Sequence, residues 1–471
     1  GYVQMTRDGG ATWNNVTPKG LKETLVNAID ISPHDPGTVF IATTRYKFND
    51  KTPSIWKTTD YGKTWKNITG NIPSASYTRV IRQDTEDPEL LFTGTETGVF
   101  VSFNGGARWE PLQLNLPITP ILDLKVAHND LIVATSGRSF WILDDIEILR
   151  QEKPDNADLY VYKSPEVVMS NGRSELDGSG DKVDGVNALA GVNPASGAVI
   201  YYQLPKKPDS VNVEIIIKDH SGEIVRTFSS IKDSDFKPWD GGPPAKSVLN
   251  NKEGLNRHVW DLRHETMPGV EGVYIEGSYR GHKVSPGTYT ITVRSGDHES
   301  SNTVTLTSNP LYSTTTEDYQ EYDQFMKKVE KNLTEMHQKV TLMEESKETL
   351  ENVLEKIPTT EQYSDLRKNV KEVISSISAW DEDMVQRKSK AYDDVENFPN
   401  KFTANYIYAI NATESSLPRV NQGSRDRIKE LDGKWETLES KADEIINQVL
   451  PKINKDLWEA GIGALILDRR A

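Results

Sequence analysis

The chain has 471 residues, of which 27% are charged, a formal net charge of −15 and no cysteine. Such acidity argues against sequence-independent nucleic-acid binding, which needs lysine and arginine to displace counterions. Disulfides and thiolate metal centres are excluded, and no apolar run reaches the roughly 18 residues of a membrane helix. The length exceeds one ordinary core and points to two to four domains. A eukaryotic secreted chain of this size would ordinarily carry disulfides, so the composition suits a bacterial protein, cytosolic or exported to an envelope compartment. Gly1 runs straight into a strand-like stretch with no signal peptide, as expected of the C-terminal part of a longer protein.

Three stretches near the start align without gaps: MTRDGGATW (5–13), KTTDYGKTW (57–65) and VSFNGGARW (101–109). Asp8 and Asp60 are 52 residues apart, and Asp60 and Asn104 are 44 apart, close to the roughly 40–45 residues of a four-stranded propeller blade. The flanks repeat as well, each reading strand, turn, strand, loop, strand, boxed turn, strand. A last version, ILDLKVAHNDLIVATSGRSFWILDD, lacks the boxed turn, as degenerate terminal repeats do. Residues 1–150 are therefore expected to form the last blades of a β-propeller.

Within each box, Gly9, Gly62 and Gly105 sit where a two-residue connection needs a positive φ. The Asp side chain can accept bonds from amides of its own turn, and Trp13, Trp65 and Trp109 can bury a large ring between strands. The sets Asp8/Gly10/Trp13, Asp60/Gly62/Trp65 and Asn104/Gly106/Trp109 resemble the Asp-box (BNR) repeat, S/T-x-D-x-G-x-T-W, of sialidases, xyloglucanases and sortilin/VPS10 propellers. The third copy departs from it, with Asn104 for Asp and Arg108 for Thr. The resemblance implies that the boxes lie on outer turns, away from the ligand face, with structural roles.

The opposite rim is expected from residues 45–54, 70–79 and 136–140, which offer Arg45, Tyr46, Tyr77, Arg79 and Arg138. Three arginines suit a carboxylate through bidentate pairing, and sialidases bind substrate with an arginine cluster; solvated loop charges or inter-blade salt bridges are the plainer reading. Glycoside hydrolysis needs two carboxyl groups at a defined separation. Asp50, Glu96, Asp144 and Asp145 are available, but their spacing singles out no pair. About three blades are present and closure takes at least four, so catalytic carboxylates would lie mainly in further, upstream blades.

Residues 159–310 keep a β pattern without the repeat and suggest an immunoglobulin-like sandwich. The stretches KDHSGEIVRTF, GLNRHVWDLR and VSPGTYTITV resemble a FlgD-type module, which follows propellers in large bacterial BNR-repeat proteins. In DGSGDKVDG (177–185), Asp177, Asp181 and Asp184 are weak candidate ligands for calcium. Lys182 occupies the glycine's place and no Glu stands at the twelfth position, so a polar loop without metal is expected.

From 314 to 471 the texture turns to heptads, expected to form an antiparallel α-helical bundle. Thr314 with Glu317 suggests a capping box, Pro358 ends the first helix, and 398–424 reads as an irregular insertion. His337 stands alone and is assigned no ligand role. Walker, dinucleotide, H-E-x-x-H and nucleophile-elbow motifs are absent, and no cofactor is expected. The readings carried forward are three. The first is a secreted, periplasmic or cell-surface protein of a Gram-negative bacterium binding a peptide or glycan. The second is a glycoside hydrolase, and the third a structural subunit contacting other envelope proteins.

Overall fold

Strand-length runs separated by turn residues fold, in the first third of the chain, as antiparallel meanders. The computed structural model describes residues 1–151, 158–170, 172, 174–177, 192–206, 211–414 and 418–463. Two compact units result, one covering the opening 157 residues and the other most of the remainder.

In the first unit, β1 (Gln4–Met5) and β2 (Asn14–Asn15) form a hairpin. A four-stranded sheet follows from β3 (Leu25–Ile31), β4 (Val39–Arg45), β5 (Asp50–Thr58) and β6 (Lys66–Asn67). A second comprises β7 (Thr78–Gln83), β8 (Leu91–Thr95), β9 (Val99–Ser102) and β10 (Glu110–Pro111). The last, β11 (Ile121–Ala127), β12 (Asp130–Thr135) and β13 (Phe140–Leu143), has three strands, with no fourth among the described residues. Strands pair in chain order and antiparallel throughout, a propeller-like plan.

Because side chains alternate across a strand, the middle sheet faces two ways. Val80, Phe92, Val99 and Val101 cluster with Leu124, Val126, Leu131 and Val133 of the last sheet. Ile81, Leu91 and Phe100 cluster instead with Phe40, Ala42 and Ile55 of the preceding one. Strand β8 is consequently buried along its whole length. Cover runs out on the outermost strands, where Ile31 of β3 is 66% exposed and Phe140 of β13 75%.

The second unit opens with β14 (Tyr160–Val161), β15 (Val167–Val168), β16 (Ala198–Leu204), β17 (Val213–Lys218), β18 (Ile224–Ser229), β19 (Gly254–Trp260), β20 (Gly287–Ser295) and β21 (His298–Thr307). They form two sheets, ordered β14-β16-β19 and β15-β21-β20-β17-β18. Ile200, Tyr202 and Trp260 of the first share one apolar core with Ile215, Ile291 and Leu306 of the second.

Helices α1 (Thr316–Lys356), α2 (Ser364–Met384), α3 (Phe402–Glu414), α4 (Gln422–Glu444) and α5 (Leu450–Glu459) complete the unit, with a π turn joining the last two. Along α1 the seam Tyr319, Tyr322, Val329, Leu333, Met336, Val340 and Met343 is buried, with Met326 rather than Phe325 taking the fully buried place. The N-cap is Thr315, not Thr314. Its Oγ1 accepts from the Asp318 amide at 3.2 Å, while the Asp318 carboxylate accepts from the Thr315 amide at 3.0 Å.

Two further differences from the sequence reading concern the helical core. The insertion at 398–424 contains α3, whose Thr403, Ala404, Tyr406, Ile407, Ala409, Ile410 and Thr413 are all buried. A helix covered on most sides shows no polar stripe and so no amphipathic period. The connection from β19 to β20 also belongs to this core: Met267, Val270, Val273, Ile275 and Tyr279 pack with the helix seams.

Trp109 is 1% exposed between two sheets, whereas Trp13 at the equivalent position is 60% exposed. Replacing Trp109 with Ala is expected to lower unfolding free energy by about 3–5 kcal/mol, and Trp13→Ala to change it by less than about 0.5 kcal/mol. Equal losses in denaturant titrations of the two variants would contradict the packing described.

Candidate functional site

The first two boxed turns repeat bond for bond. Asp60 Oδ1 accepts from the Thr58 hydroxyl at 2.9 Å and the Thr64 amide at 2.9 Å, and Oδ2 from the Thr64 hydroxyl at 2.6 Å. Asp8 makes the same three bonds with Thr6 and Thr12, at 2.7, 2.8 and 2.6 Å. Asn104 keeps the Ser102 and Arg108 amide contacts, at 3.1 and 2.8 Å, but position 108 has no hydroxyl to supply the third. The connection is longer than the two residues expected from sequence. It carries two successive left-handed residues: Gly9 and Gly10, Tyr61 and Gly62, Gly105 and Gly106.

The box also ties each sheet to its predecessor. A Cβ on Gly62 would stand 2.6 Å from Val16, and one on Gly106 2.7 Å from Ile68. Trp65 Nε1 donates to the Val16 carbonyl at 2.7 Å and Trp109 Nε1 to the Ile68 carbonyl at 2.8 Å. Trp13 donates to Gly10 of its own turn at 3.1 Å, so its ring is not buried between strands. Every box carboxylate is thus consumed by its own turn, and none is presented to a ligand.

On the rim, the structure brings together Arg45, Tyr46, Tyr77 and Arg79. The Tyr46 and Tyr77 rings stack at 5.5 Å with 16° between planes. Arg79 donates twice to Glu96, at 2.8 and 2.6 Å, and to the Tyr77 hydroxyl at 3.1 Å. Arg45 donates to Asp50 at 3.0 Å and to the Glu23 carbonyl, and lies over the Phe48 ring. Both arginines are therefore engaged within their own sheets. Arg138 is exposed and joins neither pair among the described residues; its backbone carbonyl accepts from Trp141 Nε1 at 2.8 Å. The cations that link sheets lie elsewhere. Arg82 reaches Asp123 at 2.7 Å and Asp30 at 3.8 Å, and Arg150 pairs with the buried Asp84 at 2.9 Å.

Of the candidate calcium ligands, Asp177 accepts from Ser196 through its amide at 2.7 Å and hydroxyl at 2.6 Å, and from the Ser174 amide at 3.0 Å. Asp181 and Asp184 lie outside the described residues. His337 is a core residue whose Nδ1–H donates to the Pro268 carbonyl at 2.7 Å, and burial pushes it down to about 4.

A second cluster was not signalled by sequence. The two ends of the β19–β20 connection bring His264 and His282 together, their rings stacked at 4.2 Å and 18°, against Asp323 and Glu330 of α1. Seven residues apart, these two carboxylates share one helix face. Both Glu330 oxygens serve His282: Oε1 accepts its amide at 2.7 Å and Oε2 lies 2.9 Å from Nδ1. Asp323 Oδ1 lies 3.2 Å from His282 Nε2 and 3.4 Å from His264 Nε2, while Oδ2 takes Lys327 Nζ at 3.1 Å. Burial alone would lower His282, but its bonds to Asp323 and Glu330 outweigh it and raise the group to about 9. Burial lowers His264. Burial opposes ionisation of Asp323 as well, yet the bonds from His264 and His282 hold it below the usual carboxylate range. No local motif announces this cluster: two of only eight histidines meet a helix that lies far along the chain.

No protein-family model matches the chain, nor does any curated protein. Among solved structures it is similar to YCF48 bound to D1 peptide, at 18% identity and a TM-score of 0.24 over 30% of this chain and 45% of that one. It is also similar to the GH74 enzyme of Niastella koreensis, at 12% identity and a TM-score of 0.22 over 59% of this chain and 46% of that one. The extracellular domain of BT4673 from B. thetaiotaomicron gives 8% identity and a TM-score of 0.21 over 63% of this chain and 33% of that one. The chain thus spans less than half the length of each. Likeness at this level assigns no activity, and the propeller-like plan rests on the strand pairing itself.

The boxes carry an acid dependence. Hydrogen bonds from the Thr64 and Thr12 side chains, then amides, hold Asp60 and Asp8 at about 2 against an ordinary 3.8. A folded-state value below the unfolded one means that this stabilisation is complete above about pH 4 and is lost as pH falls toward 2. Wild type should therefore exceed Asp60→Asn in denaturant midpoint near neutrality, with the gap closing toward about pH 2. A gap that persists unchanged in acid would exclude this role.

Proposed function

We propose that the first unit is part of an Asp-box β-propeller that captures a peptide or glycan on the rim around Tyr46 and Phe48, without turning it over. The Tyr46–Tyr77 stack carries this reading. Tyr46 and Phe48 stand on one 3₁₀ turn, 43% and 51% exposed, and Tyr77 lies buried beneath Tyr46 as a rigid support. With Arg45 and Arg79 each held by its own carboxylate, the rim presents an aromatic surface rather than free cations. Sugar-ring C–H faces and apolar peptide side chains both pack on such a surface.

Asp50 is a poor general acid, since hydrogen bonds from Thr52, then Arg45, lower it, whereas an acid at neutral pH needs a raised value. Exposure of Trp13 and Ile31, where the equivalent Trp109 is covered, supports further blades packed against β3. The paired sheets of the second unit support an immunoglobulin-like sandwich, and the helices a spacer or docking element. The acidic, cysteine-free composition suits a bacterial protein, cytosolic or exported, and the Asp-box resemblance favours the envelope or extracellular setting.

Wild type and a Tyr46→Ala/Phe48→Ala double variant should be compared on glycan arrays and peptide libraries, with affinities from titration. Loss of one aromatic stack of about 1.5 kcal/mol predicts roughly tenfold weaker binding. Unchanged affinity would remove the rim from the function, and turnover of a bound glycan by wild type would overturn the non-catalytic reading.

A further inference from the structure

We propose that His264, His282 and Asp323 form a binding site for one divalent transition-metal ion of the Zn²⁺ kind, clasping the β19–β20 connection to helix α1. The argument starts from Glu330. Its two oxygens accept the amide and Nδ1–H of His282, which leaves Nε2 directed at Asp323 Oδ1, 3.2 Å away. In the metal-free cluster a proton on Nε2 bridges to that oxygen, and a metal ion that displaces it takes the same place. A positive centre belongs between them, and His264 Nε2, 3.4 Å from the same oxygen, supplies a third donor.

The spacing fits. Ligands at about 2.0–2.1 Å in a tetrahedron stand about 3.3 Å apart, and the three donor atoms all lie within 4.8 Å of one another. Two imidazole nitrogens with one carboxylate suit zinc-like ions better than Ca²⁺ or Mg²⁺, which favour oxygen cages. Glu330 occupies the place of the carboxylate that orients a metal-bound histidine and strengthens its basicity. Lys327 engages the other Asp323 oxygen, leaving Oδ1 on the donor side. The His264 and Asp323 side chains are 15% and 22% exposed against 0% for His282, which gives an entrance and a fourth position for water. Coordination requires the near-parallel rings to open, with His264, the less buried, turning toward the ion.

The test uses the full chain, stripped by chelator and titrated with Zn²⁺ in a calorimeter and with Co²⁺ in an absorption spectrometer. One equivalent should bind, with the intense d–d bands of four-coordinate Co²⁺ and a Tm that rises with Zn²⁺ concentration. His264→Phe, which keeps the ring stack, and Asp323→Asn should abolish the bands, and Glu330→Gln should weaken binding about 10–100-fold. Circular dichroism confirms that each variant is folded. Absence of stoichiometric binding by wild type would overturn the site. So would binding that His264→Phe leaves unchanged, and the cluster would then be held by protons alone.

Discussion

A four-stranded antiparallel sheet with apolar residues on both faces is stable only when both faces are covered, and the first unit is organised around that constraint. The middle sheet meets it: Leu91 and Phe92, adjacent in sequence, enter opposite cores. Its neighbours meet it on one side. The box turn is the local device that sets one sheet on the next. Its left-handed pair of residues brings the backbone against Val16 or Ile68 of the preceding hairpin, and its tryptophan donates to that residue's carbonyl. Repetition of the motif is therefore repetition of an interface, which is why Asp60 is committed to Thr58 and Thr64.

In the second unit the long helix α1 plays the comparable part. One of its faces supplies the seam of the helical core, while Asp323 and Glu330 grip the histidines of the β19–β20 connection. That connection sends Met267 to Tyr279 into the helical core and returns to the sheet at β20. A buried histidine between two carboxylates is costly unless its partners are in place, so the clasp and the packing around it support each other.

Legibility followed the range of the interactions. The boxes, the strand order and the α1 seam are short-range patterns, with periods of two, of three to four, or of one turn. Helix α3 escaped because burial on most sides erases its polar stripe. The rim was half legible: Tyr46 and Tyr77 do meet, yet the engagement of Arg45 by Asp50 and of Arg79 by Glu96 depends on side-chain reach across strands. The histidine cluster was invisible, because its members come from the two ends of one long loop and from a helix, spread from 264 to 330.

The sequence by itself determined the repeat, the closing of each box turn and the change from strands to helices, because these depend on backbone dihedrals and neighbours within a few residues. Only the tertiary structure decided which tryptophans are covered, which arginines are free and where a cation can sit. Those depend on distances between chain segments that no local pattern encodes, and on the charge each buried group meets when the segments close.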